Sequence, residues 1–448
     1  MVSTAQIIEI PDANFKNALV NDMVVDIDDD FVGDVDADTN DDGEIQISEA
    51  EAVLGLMVHN KGIISMEGLE SFVNLRALGA ENNQFTQIDV TQNSALQHLN
   101  IPGNPITELD ISQNPNLLGT NLRESLITDL DLSNNPNMTY IFFEGSSIQH
   151  IDFSQAINLE IIFGDNNQLV DVDLSNCTNL RTAYLYNGTI QSLTLPSSDI
   201  LEFLFLSNNP LTALDVTLNP ILRVLDVQYT SISDVDLSQN TFLTNLSVEG
   251  TDLTVIDLSQ NSNLQYLNIS NTDISSLDVS NNSVLLDLEC NFANLQELDL
   301  SANQFLGFLS CESNALTSLN LRNTIVSEMI ALNNPDLFCI EVQDVDYANN
   351  NPNWFKDEIA VYSKDCSLGI TEVHSGDFNL YPVPVSQSLY IKSDFSIDGV
   401  TIYNLQGQKV SFTNDGSKSI DTSHLSQGIY LLEIVSNQHK VFKKFLKE

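Results

Sequence analysis

Residues 96–114 read Leu96-x-x-Leu99-x-Ile101-x-x-Asn104-x-Ile106-x-x-Leu109-Asp110-Ile111-x-x-Asn114. The phrase LxxLxLxxN therefore occurs twice within about twenty residues. Alternation inside LxL predicts a short strand with its leucines on one side. The same pattern recurs up and down the chain. The residue after the apolar position of the second copy is Asp89, Asp110, Asp131, Asp152, Asp173, Thr194, Asp215, Asp236, Asp257, Asp278, Asp299 and Asn320, always 21 residues apart. Such a period means stacked units, each unable to bury its own leucines and each stabilised by its neighbours.

The unit that results is a coil with two short parallel strands, rising about 4.8 Å per turn. Asparagines such as Asn93, Asn114, Asn219, Asn240, Asn261, Asn282 and Asn303 recur at the turn. Stacked amides there satisfy backbone groups of their own and adjacent coils. Over residues 53–340 the pattern resembles the 21-residue leucine-rich repeats of bacterial surface proteins, distantly like the internalins. The expected fold is mainly β: a leucine-rich-repeat solenoid at 53–338, a small cap at 1–52, a C-terminal cap and linker at 339–374, and a β-sandwich at 375–448.

The two outward faces differ. On the strand of Asp110 the outward column is Asp at ten of twelve turns, usually with Ser or Thr two residues on. Stacked like charges repel. An unvarying column also carries little information for choosing a partner, so this face reads as scaffold with locally satisfied turns. The other strand presents Asn100, Asn121, Phe142, Phe163, Tyr184, Phe205, Asp226, Ser247, Asn268, Glu289 and Ser310 in its central column. Tyr140, Phe203 and Tyr186 flank the four aromatic turns, with Glu144 and Asp165 at the rim. A local aromatic cluster suits a protein partner, or a glycan stacked on ring faces. The competing reading is a ladder that only braces adjacent coils.

Residues 38–49, Asp-Thr-Asn-Asp-Asp-Gly-Glu-Ile-Gln-Ile-Ser-Glu, fit an EF-hand calcium loop. Asp38, Asn40 and Asp42 fall at positions 1, 3 and 5, Gly43 at the sharp turn, Glu44 where a carbonyl binds, and Glu49 at the bidentate position 12. A structural Ca2+ in the cap is the expectation; a chance match in an acidic stretch (Asp28, Asp29, Asp30, Asp34 and Asp36 lie nearby) is the alternative. A helix near 13–20 precedes it, and Ile10-Pro11-Asp12-Ala13-Asn14-Phe15 looks like the start of N-terminal caps in this repeat family.

Beyond Asn320 the repeat decays into Cys339-Ile340-Glu341-Val342, followed by Trp354 and Cys366. In an oxidising compartment Cys339 and Cys366 would close a loop that staples the cap, an ending similar to those of secreted repeats of this type. Cys290 and Cys311 sit one repeat apart at inward positions and read as small core residues, and Cys177 replaces a turn asparagine. From about Ser375 the segments Leu389-Tyr390-Ile391, 400–407 and 428–434 are short strands between polar turns, implying a small sandwich. The opening Leu380-Tyr381-Pro382-Val383-Pro384-Val385, the run Ile402-Tyr403-Asn404-Leu405-Gln406-Gly407-Gln408-Lys409-Val410 and Lys443-Lys444-Phe445-Leu446-Lys447 resemble the type A sorting domain of Bacteroidetes type IX secretion substrates. Val383 departs from the Asn usual there. The resemblance implies engagement of that secretion machinery, export, and a secreted or outer-membrane surface location.

Lys and Arg total 16 against 62 Asp and Glu, a formal net charge of −46. Such a polyanion repels nucleic acid and anionic lipid. No apolar run approaches the roughly 18 residues that span a bilayer. Residues 1–6 carry no signal peptide, and its prior removal is the expectation. The six histidines stand in unrelated contexts, without a zinc signature, a phosphate loop or a G-x-S-x-G elbow, so catalysis is not expected. The sequence thus reads as a surface binding protein for adhesion or capture of a protein or glycan. The alternative is a structural or accessory module with no specific ligand.

Overall fold

The computed structural model describes residues 6–324, 326–366, 378–393, 395–404, 407–413, 417–436 and 439–448. The chain divides into two compact units, Met1–Lys364 and Asp365–Glu448.

The first unit is a parallel-strand solenoid of about 15 turns. One strand per turn joins a single 16-stranded sheet. The short strand Val25–Asp26 opens it, antiparallel to Gly55–Met57. From there to Trp354–Lys356 the pairing is parallel, three residues per turn through most of its length, as in His98–Asn100 with Gly119–Asn121. The middle residue of each strand, such as Leu99, Ile141, Leu204 or Leu246, points into the core and is buried, while its neighbours face out.

On the opposite face the expected second strand is intermittent. Ladders form at Asp129–Asp131 with His150–Asp152, at Asp171–Asp173 with Ser192–Thr194, and from Glu297–Asp299 to Val361–Ser363. Elsewhere turns are tied by single backbone bonds, as from Ser231 N to Leu211 O at 2.9 Å. The aspartate column explains the shortness of these segments. Asp110, Asp131, Asp215, Asp236 and Asp257 each accept the backbone N–H two residues on at 2.8–2.9 Å. Each such bond bends the chain immediately after the extended residues, leaving little backbone to pair.

Buried amides tie turn to turn. Asn114 Nδ2 donates to Val90 O and Asn93 O, both at 2.9 Å, and Asn135, Asn240, Asn261, Asn282 and Asn303 repeat the pattern one turn back each time. The asparagine of the other LxxLxLxxN copy, at Asn83, Asn104, Asn167, Asn209, Asn314 and Asn334, does the same on the other corner.

Both ends are closed. Asp12, itself buried, caps the helix Ala13–Asn21 through Asn14 N and Phe15 N. Its other oxygen accepts Ile64 N at 2.7 Å and Ser65 N at 3.0 Å, pinning the helix to the first turn. Burial acts to raise its pKa, but the four N–H donors outweigh it and hold the carboxyl below its usual range. At the far end Trp354 Nε1 donates to Val326 O at 3.1 Å, and its ring packs between Tyr347 and Tyr362. Cys339 and Cys366 are disulfide-bonded. Cys177, Cys290 and Cys311 are buried free thiols.

The second unit contains two antiparallel sheets. One orders Asn379–Tyr381, Ser388–Lys392 and Ser419–Asp421; the other orders Lys409–Thr413, Gly399–Tyr403, Gly428–Ser436 and His439–Lys447. Their buried core includes Phe378, Leu389, Ile402, Leu432, Ile434 and Phe445. Leu405 and Gln406 of the sorting-type motif, the linker residues 367–377, and residues 1–5 lie outside the described residues.

Candidate functional site

Because side chains alternate along each strand, Phe142, Phe163, Tyr184 and Phe205 stack in register on the outer surface of the long sheet. Their ring centroids lie 4.9, 4.9 and 4.3 Å apart, with interplanar angles of 18°, 88° and 13°. Tyr140 joins from the flanking column at 5.0 Å from Phe142, and Tyr186 at 6.4 Å from Tyr184. Phe203 stands on the same strand as Phe205 without a ring partner among the described residues. All seven side chains are half-buried rather than standing free. Phe142 with Phe163, and Tyr184 with Phe205, each turn one face to the other, and the Arg123 guanidinium lies over Phe142 at 4.9 Å.

Small neighbours make room for this run. Gly119 is in register with Tyr140, and a Cβ there would lie 2.1 Å from the Tyr140 ring. The rim acids are partly neutralised. Arg123 pairs with Glu144 at 2.5 Å, while Arg181 and Arg223 both pair with Glu202, at 2.9 and 3.1 Å. Asp165 is half-buried, and burial raises its pKa.

The run is longer than its sequence suggested. His98 stacks on Tyr140 at 6.2 Å and its Nδ1 lies 2.9 Å from the Tyr140 hydroxyl. Phe31, from the N-terminal cap, meets His98 edge-on at 5.4 Å. Between them and His59, Met57, Asn121 and Phe142 is a cleft of about 450 Å³. Burial lowers the pKa of His98, and likewise that of His59 against the opposing pull of Glu81, so both favour the neutral ring. Phe31 escaped sequence reasoning because its place depends on one buried carboxylate: Asp26 accepts Asp28 N, Asp29 N and Phe31 N and folds the loop over.

In the acidic cap, the 38–49 segment is closely tied. Asp38 is buried and accepts Asp42 N and Gly43 N, Asn40 Oδ1 accepts Asp42 N, and Gly43 takes the left-handed backbone of the sharp turn at φ +80°. Glu49, also buried, accepts Thr39 Oγ1 and Gln46 N. Gln46 Nε2 lies 3.1 Å from both Asp42 carboxylate oxygens and 3.4 Å from Glu44 O. The Glu44 carboxylate turns away to Lys16 at 2.6 Å. A different trio, Asp26, Asp28 and Asp34, brings carboxylate oxygens within 4.8 Å of one another.

Residues 379–448 match the secretion system C-terminal sorting domain. The sorting domain accounts for the antiparallel second unit and points to secretion. Among the described residues no helix is long and apolar enough to cross a membrane. No curated protein sequence matches the chain. Among solved structures it is similar to the functional domain of InlJ from Listeria monocytogenes, which includes a cysteine ladder. That match has 22% identity and a TM-score of 0.55, covering 90% of this chain and 93% of that one. It is also similar to an internalin (inlF) from Listeria monocytogenes str. 4b F2365, with 22% identity, a TM-score of 0.58, and coverage of 71% and 94%. The APL1 leucine-rich repeat domain aligns at 19% identity and a TM-score of 0.54, covering 72% of this chain and 86% of that one. These likenesses show the leucine-rich-repeat fold.

Proposed function

We propose that the chain is an exported binding protein whose long sheet receives a protein partner on the row from Tyr140 to Phe205. One observation carries the reading: the aromatic run is confined to a few turns of an otherwise polar column, in a fold whose core needs no rings on that side. A glycan reading loses ground on the same geometry. Sugar rings stack on exposed aromatic faces, and here Phe142 is covered on one side by Phe163 and on the other by Arg123, while Tyr184 and Phe205 stack on each other. A half-buried apolar row offers contact for a protein surface instead. The sorting domain supports a secreted or outer-membrane surface location reached through the type IX machinery.

The test presents the full chain to a glycan array and, in parallel, to cross-linking capture of surface proteins. Phe163→Ala with Tyr184→Ala, shown to be folded by circular dichroism, should lose the captured partner. Capture that survives this double substitution leaves the run a brace between coils, and binding to glycans alone restores the sugar reading.

A structural calcium in the cap is a second reading. The loop turns as an EF-hand loop does, and three oxygens it would offer, two from Asp42 and the Glu44 carbonyl, already converge on one positive-ended group, Gln46 Nε2. Asp38, Asn40 and Glu49 would complete the set as Gln46 withdraws. Millimolar Ca2+ should raise the melting midpoint over chelator, and Asp38→Ala should abolish the rise. An equal midpoint with and without chelator removes the reading.

A further inference from the structure

Past Phe205 the central column continues in register as Asp226, Ser247, Asn268 and Glu289, with Glu249 beside it. Asp226 is half-buried; burial, with a smaller push from the charge of Glu249, raises its pKa against neutral donors from Gln228 (backbone N at 3.1 Å and side chain) and the Ser207 hydroxyl. Glu249 accepts only neutral donors: the Tyr229 hydroxyl, Asn268 Nδ2 at 3.1 Å and Asn271 Nδ2 at 3.0 Å. Ser247, in register with Asp226 and 5% exposed, has no hydrogen-bond partner for its hydroxyl among the described residues. Along the aromatic run Glu144 and Glu202 have arginines; among the described residues Asp226 and Glu249 have no ion pair. Half-buried carboxylates without a counter-charge and a buried hydroxyl without a partner are costly unless something completes them.

We propose that Asp226, Ser247 and Glu249 form the seat for a lysine or arginine side chain of the protein partner whose apolar residues cover the aromatic run. This rests on the run being a docking face. The face already shows the chemistry within the chain, since Arg123 both pairs with Glu144 and lies over Phe142. The overall charge of −46 favours a basic partner. Ser247 lies three turns beyond Tyr184 and four beyond Phe163. At about 4.8 Å per turn, an extended segment rising about 3.3 Å per residue covers that in roughly four to six residues. The partner segment therefore carries an aromatic or aliphatic residue and, about that far along, a basic one.

The probe is a phage-displayed library of random dodecapeptides panned on the full chain, followed by synthesis of the strongest binder. Enriched peptides should show the apolar-to-basic spacing. Asp226→Asn with Glu249→Gln should weaken the chosen peptide at least tenfold. Replacing its arginine by citrulline, or its lysine by norleucine, should cost as much on the wild type and little on the variant. Ser247→Ala should weaken it without destabilising the free chain. If Phe163→Ala with Tyr184→Ala abolishes binding but Asp226→Asn with Glu249→Gln does not, the seat is refuted and the docking face stands. Peptides indifferent to both pairs refute both. Enrichment without basic residues, or no enrichment, also overturns the seat.

Discussion

Asn261→Ala measures how much the amide columns contribute. Asn261 is fully buried and its Nδ2 donates to Leu237 O at 3.2 Å and Asn240 O at 2.9 Å, one turn back. Each of those carbonyls retains a backbone donor, from Asn240 N and Leu243 N respectively, so neither is wholly orphaned. The loss is therefore nearer the net worth of two hydrogen bonds, about 1 kcal/mol each, than the larger penalty for bare buried groups. A small cavity adds to it. Deleting Asn261 Oδ1, which is buried without a donor, offsets part. The expected cost is about 2 kcal/mol, or roughly 0.7 M in a urea midpoint for an m-value of about 3 kcal/mol/M. Asn263→Ala in the same turn is the control. Its amide reaches Thr241 O at 2.8 Å but is exposed, so water replaces it at a cost of about 0.5 kcal/mol or less. Urea unfolding followed by circular dichroism reads both. Equal midpoint shifts for the two variants would refute the claim that buried amides fasten the turns.

Asp12→Ala removes a helix cap and two bonds to the first turn at once, so it should cost about 2–4 kcal/mol, visible as early proteolysis near the N-terminus. In the aspartate column, backbone and hydroxyl donors from Ser259 hold the Asp257 pKa low. Its stabilisation is present above the ordinary carboxylate range and is lost as pH falls through the lowered value. Asn320 makes the same turn bond uncharged, to Arg322 N at 3.0 Å. Asp257→Asn should thus lower the midpoint slightly at pH 7 and flatten the acid limb below about pH 4; a midpoint at pH 7 equal to or above the wild type would show that the charge adds nothing. Burial pushes Cys177 and Cys311 up to about 12, and Cys290 far above its usual range. A thiol reagent should therefore label none of the three in the native chain and all three in denaturant, with fast native labelling the contrary result.

The solenoid was legible because the inward leucines and the turn asparagines repeat at one period, and burial repeats with them. Alternation also separated outward columns from inward ones, which is how Phe142, Phe163, Tyr184 and Phe205 could be placed on one face before their coordinates were known. The orientation of those rings was not legible. Whether a phenyl lies flat or on edge depends on its neighbours across the strands, such as Gly119 beneath Tyr140 and Arg123 over Phe142. Phe31 reaches the face from the N-terminal cap and joins His59 of the first turn, and only tertiary contacts bring them together. Ser247 gave no signal either, since a serine in a strand is ordinary until its hydroxyl is found buried and alone. On the opposite face, the Asp-x-Ser phrase correctly predicted turns but not that they would cut the second ladder short.

Each turn of the long sheet contributes one central outward residue, and the residue behind it is leucine at most turns but Thr120, Ile141, Ile162 and Ala183 on four consecutive ones. The face is therefore written one character per 21-residue unit, on a backing that varies only among buried residues of modest size. Copying, deleting or exchanging a whole unit would move the boundary between the aromatic and acidic stretches by one turn, about 4.8 Å, without re-threading the core. The spacing between an apolar and a basic contact would thus change in fixed steps, like stops on a ruler, rather than continuously.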